Sequence, residues 1–272
     1  MADFYHHVYL SPHLDDAVLS CGGRLHRQVR AGRRPLVITL FAGLPPGEVE
    51  LSSFAKSLHA RWGNNLREVV AARWIEDQAA LAALGVDYLR LDYPDCIYRG
   101  LGHAGRPGFG EDSDWYYPSE ESLFGPVHPA EEYFPTELAA TLCEFIPPAE
   151  GATLLAPLTV GNHVDHQLTF AAATILRAQG WHVQFYEEYP YAEREGGAAA
   201  ALAARGAQHW APSVASLDEE DLVAKVRAIA CYESQLEVLF GSAEAMPDRV
   251  RSYFLSIGGE RWWDPALPDI RA

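Results

Sequence analysis

Short apolar runs that alternate with segments of helical period constrain this chain more than any other feature. Pro35 to Phe41 (Pro-Leu-Val-Ile-Thr-Leu-Phe) is apolar at almost every position and too short for a helix, the pattern of a strand buried on both faces. Phe4 to Leu10, Val86 to Leu91, Thr153 to Leu158 and His182 to Tyr186 read the same way. Between them lie helical patterns: from about Asp15 to Gly32, from about Asn65 to Leu84 with Gly85 as its stop, from Glu137 to Phe145, and from Asp165 to Gln179. Strands separated by helices pair in parallel. The alternation therefore predicts an α/β fold, a Rossmann-like doubly wound, mostly parallel sheet with helices on both faces. Ligands of such sheets bind beyond the carboxyl ends of the strands.

Three stretches fall outside the alternation. Residues from about 96 to 135 are rich in Gly, Pro and aromatics, including Tyr98, Phe109, Trp115, Tyr116 and Tyr117. A connection this long is usually functional, so it is expected to be an ordered cover over a site and the element that sets specificity. The Ala-rich run Gly196 to Arg205 reads as a surface helix. Towards the end, Leu222 to Leu239 reads as helical, and this part, with Trp262-Trp263 near its end, is expected to pack against the same sheet. With no repeat and no linker, one domain over residues 1–272 is expected.

Charge narrows the partners. Against 21 basic residues stand 37 acidic ones, a net charge of −16, which disfavours nonspecific binding to nucleic acid or to an anionic membrane. No apolar run approaches the ~18 residues of a spanning helix, and Met1-Ala2-Asp3-Phe4 lacks a signal peptide's basic start, so a cytoplasmic protein is expected. Cys21, Cys96, Cys143 and Cys231 are scattered without a C-x-x-C pair and read as free thiols.

The chemistry concentrates at two strand ends. Ser11-Pro12-His13-Leu14-Asp15-Asp16 follows the first strand, and His163-Val164-Asp165-His166 follows the strand at Thr153. A divalent metal with an open coordination position needs about three protein ligands and a nearby base that is not a ligand. His13 and Asp16, three apart at a strand-to-helix turn, can reach one ion, and His166 completes a His-Asp-His set. Asp15 is left free as the base. His163 remains to polarise a carbonyl or donate a proton, and Asp165 to orient an imidazole from behind. The blander reading makes the two aspartates helix caps and the histidines surface decoration. Joint placement at two strand ends weighs against it.

Ser-Pro-His-Leu-Asp-Asp-Ala with Gly-Asn-His-Val-Asp-His resembles the signature pair of the zinc-dependent PIG-L/LmbE family of N-acetylglucosaminyl deacetylases. The family's first motif usually reads Pro-His-Pro-Asp-Asp-Glu, so Leu14 and Ala17 depart from it without touching a ligand or the base. The resemblance implies one zinc ion per chain on His13, Asp16 and His166, Asp15 as general base and His163 as its electrostatic or acid partner. It also implies substrate contacts from Arg73 and from Asp95, a carboxylate that matches one binding sugar hydroxyls. Lys225-x-x-Ala228-x-x-x-Tyr232-x-Ser234-Gln235 looks familial too and is expected to serve packing. Some members carry a tyrosine two residues before the histidine matching His163; this chain has Gly161, and an aromatic from the long loop is expected in its place. Family members often form homo-oligomers.

The reaction implied is removal of an acetyl or other acyl group from the nitrogen of an amino sugar or glycoconjugate. Its rivals are a metal-dependent ester or phosphoester hydrolase, which would want a second metal or a basic clamp, and a silent sugar-binding module, which would not need Asp15. His6, His7, His103, His128 and His182 have no partner at ligand spacing, Gly22-Gly23 lacks a dinucleotide pattern, and Cys21 reads as a buried thiol rather than a nucleophile.

Overall fold

Apolar runs and caps place the elements close to where the pattern expects them. The computed structural model describes residues 5–45, 51–62, 65–100, 114–146, 151–206 and 210–265. In chain order these hold β1 (His7–Ser11), α1 (Asp16–Arg30), β2 (Pro35–Thr39), α2 (Ser53–Trp62), α3 (Leu66–Leu84), β3 (Asp87–Arg90), α4 (Glu120–Leu123), α5 (Phe134–Phe145), β4 (Thr153–Pro157) and α6 (Val164–Ala178). After them come β5 (His182–Tyr186), α7 (Gly197–Ala204), β6 (Trp210–Ala215), α8 (Glu219–Ile229), α9 (Glu233–Phe240), α10 (Met246–Ser256) and β7 (Glu260–Pro265). The cap of α3 follows the sequence closely: the Asn65 side chain accepts from Arg67 N–H, and Gly85 closes the helix at φ 69°.

The seven strands run β3-β2-β1-β4-β5-β7-β6, parallel from β3 to β5. From β1 the chain winds outwards through β2 and β3, then returns to lay β4 on the other side. That reversal makes a crevice between β1 and β4 at their carboxyl ends. Successive residues of β1 bury on opposite faces. Val8 and Leu10 join Leu138, Leu142, Leu168 and Leu176 of α5 and α6, while Tyr9 joins Leu25, Leu81, Leu84 and Ile229 of α1, α3 and α8. Two covered faces explain why the strands read as continuous apolar runs.

Two expectations change. The run Leu222 to Leu239 is two helices, broken because Tyr232 turns inward to donate to Asp77 Oδ1 at 2.9 Å and Glu76 captures Ser234 N–H at the start of α9. Trp262 and Trp263 do not merely pack on the sheet. They lie in β7, antiparallel to β5 and β6, an edge whose Pro212 and charged residues masked its strand character. The long segment carries a 3₁₀ turn at Cys96–Tyr98, then α4, then a 3₁₀ turn at Pro129–Glu131; Phe109 and His103 lie outside the described residues. No helix among the described residues is long and apolar enough to cross a membrane.

Candidate metal centre

Ser11 relieves both aspartates of capping duty. Its hydroxyl accepts from Ala17 N–H at 3.0 Å and donates to His13 O at 2.6 Å, so the first turn of α1 is tied without Asp15, whose side chain makes no cap hydrogen bond. Asp16 turns back over the loop and accepts from His13 N–H at 2.8 Å. The same oxygen, Oδ2, stands 3.2 Å from His13 Nδ1 and 3.3 Å from His166 Nε2. Two ligands of one tetrahedral zinc, at bonds of ~2.0–2.1 Å, stand roughly 3.3 Å apart, so each of these two spacings is ligand-like. The sets whose ligand atoms all lie within 4.8 Å of one another among the described residues are His13–His163–His166, Cys96–His163–Asp165 and His13–Asp95–Asp165.

Each imidazole is held from behind by a buried carboxylate. Asp165 Oδ2 lies 2.9 Å from His13 Nε2, and Glu188 Oε1 lies 3.1 Å from His166 Nδ1. That leaves His13 Nδ1 and His166 Nε2 facing Asp16, and His166 Nε2 is buried with no hydrogen-bond partner. Carboxylate–imidazole pairs of this kind orient metal-binding histidines. Burial disfavours every ion here, yet the two imidazoles hold Asp16 well below the usual carboxylate range, and Asp16 with Glu188 raises His166 to about 9.

Asp15 and His163 face the adjoining cavity of about 200 Å³. Burial pushes the Asp15 carboxyl above its ordinary value, and Arg73, whose Nη2 is 3.5 Å from Asp15 Oδ2, pulls it back. His163 caps α6: its Nδ1 accepts from Asp165 N–H at 3.3 Å, which leaves the proton of the neutral ring on Nε2. Burial, then the neighbouring His13, hold its pKa well below 6.5. A neutral imidazole at a helix N-terminus is suited to donating a hydrogen bond to a carbonyl. Asp95 lines the cavity with Oδ2 3.8 Å from His13 Nε2, and its Oδ1 caps the turn at Cys96–Tyr98. Asp165, by contrast, is fully buried behind His13 and does not line the cavity. The other sequence-selected residues, His13, Asp15, Asp16, His163, His166, Arg73 and Asp95, converge here.

The chain matches the family described as PIG-L: GlcNAc-PI de-N-acetylase over residues 8–176, which carries both motifs. It belongs to the PIG-L family. Among PIG-L relatives, the 2'-N-acetylparomamine deacetylase of Niallia circulans is 35% identical over 197 residues, 68% of this chain and 66% of that protein, just under two thirds. The enzyme of the same name from Streptomyces fradiae is 30% identical over 235 residues, 85% of this chain and 73% of that protein. In structure, the zinc-inhibited form of teicoplanin deacetylase Orf2 superposes with TM-score 0.79 at 28% identity, covering 97% of this chain and 99% of that one. The A40926 pseudoaglycone deacetylase Dbv21 superposes with TM-score 0.67 at 26% identity, over 96% and 97%.

Several residues escaped the sequence reading. Glu188 accepts from the N–H groups of Leu158, Thr159 and Val160, so one carboxylate fixes both His166 and the loop that precedes it. That loop is strained, with φ of 74° at Thr159 and 64° at Asn162. Its position just beyond the carboxyl end of β5 was the available signal. At Gly161 a Cβ would stand 2.8 Å from the ring of Tyr191, so the space a side chain would take is filled from the segment after β5. The long segment contributes as well: Phe124 stands edge-on to His163 at 5.5 Å and to Tyr191 at 6.1 Å.

Proposed function

We propose that this protein is a zinc-dependent N-deacetylase of an amino sugar or glycoconjugate, with His13, Asp16 and His166 as the residues that hold the metal. The observation that carries the reading is the pair of ligand-like distances at Asp16 Oδ2, with Asp15 paired instead to Arg73. Bound there, zinc would supply a Lewis acid that polarises the amide carbonyl and lowers the pKa of water toward ~7.

The chain's own groups do the rest. Asp15 takes a proton from the attacking water as the water oxygen bonds to the amide carbon. Its burial keeps it a better base than an exposed carboxylate. His163 donates its Nε2 proton as a hydrogen bond to the carbonyl oxygen, where negative charge builds. The C–N bond then breaks as Asp15 returns the proton to the departing nitrogen, leaving a free amine and acetic acid. Asp165 and Glu188 keep the two imidazoles in place throughout.

Substrate class follows from the relatives and the cavity wall. The named relatives are deacetylases of 2'-N-acetylparomamine and of teicoplanin, and Trp62, Phe124 and Tyr191 line this cavity beside Asp95 and Arg73, which suits a sugar face and its hydroxyls. Metal analysis of the purified protein, with a screen of N-acetylated glycosides for amine release, tests the reading. Expected is about one zinc per chain, activity lost to a chelator and regained with zinc. Full activity in metal-free protein would sink it.

A further inference from the structure

Four buried side chains run in a line from the long segment between β3 and α5 to the candidate metal centre. Tyr117 donates its hydroxyl to Glu131 Oε2 at 2.6 Å, and Glu131 accepts from Arg99 through Nε at 2.5 Å and Nη2 at 3.2 Å. Arg99 Nη2 also lies 2.7 Å from Asp165 Oδ1, an ion pair without hydrogen-bond alignment, while Asp165 Oδ2 faces His13 Nε2 at 2.9 Å and accepts from Cys96 N–H at 3.1 Å. Arg99 is 7% exposed, Glu131 4% and Asp165 0%, so little solvent is available to replace a lost partner. The guanidinium is itself immobilised. Its Nη1 donates to Pro94 O at 3.1 Å, and the rings of Phe41 and Phe134 lie 5.0 and 5.8 Å from its carbon.

We infer that Arg99 is a positioning residue for the metal centre: clamped by Glu131, it locks the Asp165 carboxylate, which in turn aims His13 so that Nδ1 faces Asp16. The inference rests on the proposed metal-dependent reading. Fork geometry is essential to it, because the guanidinium donates in one plane to Glu131 and Pro94 O while its Nη2 is held against the Asp165 carboxylate. A lysine ammonium offers no such plane. The long segment is thereby joined to the centre by a rigid polar path, so contacts made along it are felt at His13.

The test compares wild type with Arg99→Met, Arg99→Lys and Glu131→Gln for zinc affinity by chelator competition, for kcat and KM, and for Tm. Loss of a partner that orients a metal ligand typically costs 10–100-fold in metal affinity or activity. About that loss is expected in zinc affinity and kcat for both Arg99 variants, with KM little changed, and a smaller loss in the same direction for Glu131→Gln. In an Asp165→Asn background, Arg99→Lys should add almost nothing. Should Arg99→Met fail to fold, Arg99→Lys and the isosteric Glu131→Gln still decide. Wild-type zinc affinity and kcat in the folded variants, with only Tm lowered, would reduce Arg99 to a structural ion pair and overturn the inference. Additive effects with Asp165→Asn would overturn it too. Wild-type protein that holds no zinc fails earlier and separately, taking the functional reading and this inference together.

Discussion

Helix α1 touches two buried charge clusters that are built to opposite ends. Along its middle, Lys225 of α8 spends its Nζ protons on Glu260 Oε1 at 2.7 Å, Leu19 O at 2.7 Å and Val18 O at 3.4 Å. Glu260 uses its remaining capacity on Gly23 and Arg24 N–H, at 2.8 and 2.7 Å. At the first turn, Asp16 Oδ2 is shared by two imidazoles, His166 Nε2 has no hydrogen bond, and Arg73 reaches Asp15 only at 3.5 Å. The first cluster is complete from protein groups alone, so removing one partner leaves the other buried and unpaired. In the second, one carboxylate oxygen is shared by two imidazoles and a buried ring nitrogen is left without a hydrogen bond, which is how a centre able to take a cation differs from a fully paired one.

The contrast also accounts for Gly22-Gly23. A Cβ at Gly22 would come 3.2 Å from Lys225 Cγ and one at Gly23 2.6 Å from Leu217 Cδ1. The pair exists so that α8 and the segment before it can approach α1; Lys225 of the later motif packs here, whereas Gln235 of the same motif lines the cavity at the candidate metal centre.

The sharpest way to break this comparison is to remove the metal. Chelation, or His166→Ala, should drop amine release to background, zinc restoring only the wild type. Retained turnover in metal-free protein would make the open cluster as structural as the closed one. Next, Lys225→Met should cost about 3–5 kcal/mol by leaving Glu260 buried without its cation, measured by urea unfolding, while kcat of the folded fraction is unchanged. A fall in kcat at saturating zinc would erase the distinction from the other side.

Asp15→Asn should lower kcat by ~10²-fold or more at unchanged zinc content and near-unchanged Tm. Full activity would remove Asp15 as the base. The smallest effect is expected from Arg73→Met, read in the pH profile. Arg73 opposes the upward push of burial on Asp15, so its loss raises the Asp15 pKa, and the acid limb of kcat moves to higher pH. An acid limb that stays in place would show that the Arg73 charge does not act on the base.

Much of this was legible in the chain because its signals are short in range. Apolar runs of five residues, the Asn65 and Gly85 caps and the two strand-end motifs are each written within a few positions. His13, Asp16 and His166 could be named together because a doubly wound sheet brings the ends of its first strand and of the strand across the switch side by side. The antiparallel edge of β6 and β7 was missed because a Pro and several charges overrode local strand propensity.

By itself, then, the sequence determined the order of elements, the parallel sheet and the residue types at its switch point. Periodicity and capping are local, and they survive being read one window at a time. Only the tertiary structure decided that Glu188 rather than a neighbour in sequence holds His166, that Tyr191 fills the space beside Gly161, and that Arg99 ties Glu131 to Asp165. Those pairings join residues 22 to 66 positions apart. Burial makes such polar contacts obligatory, but nothing in the local pattern names the partner, because the packed chain alone decides which donor meets which buried acceptor.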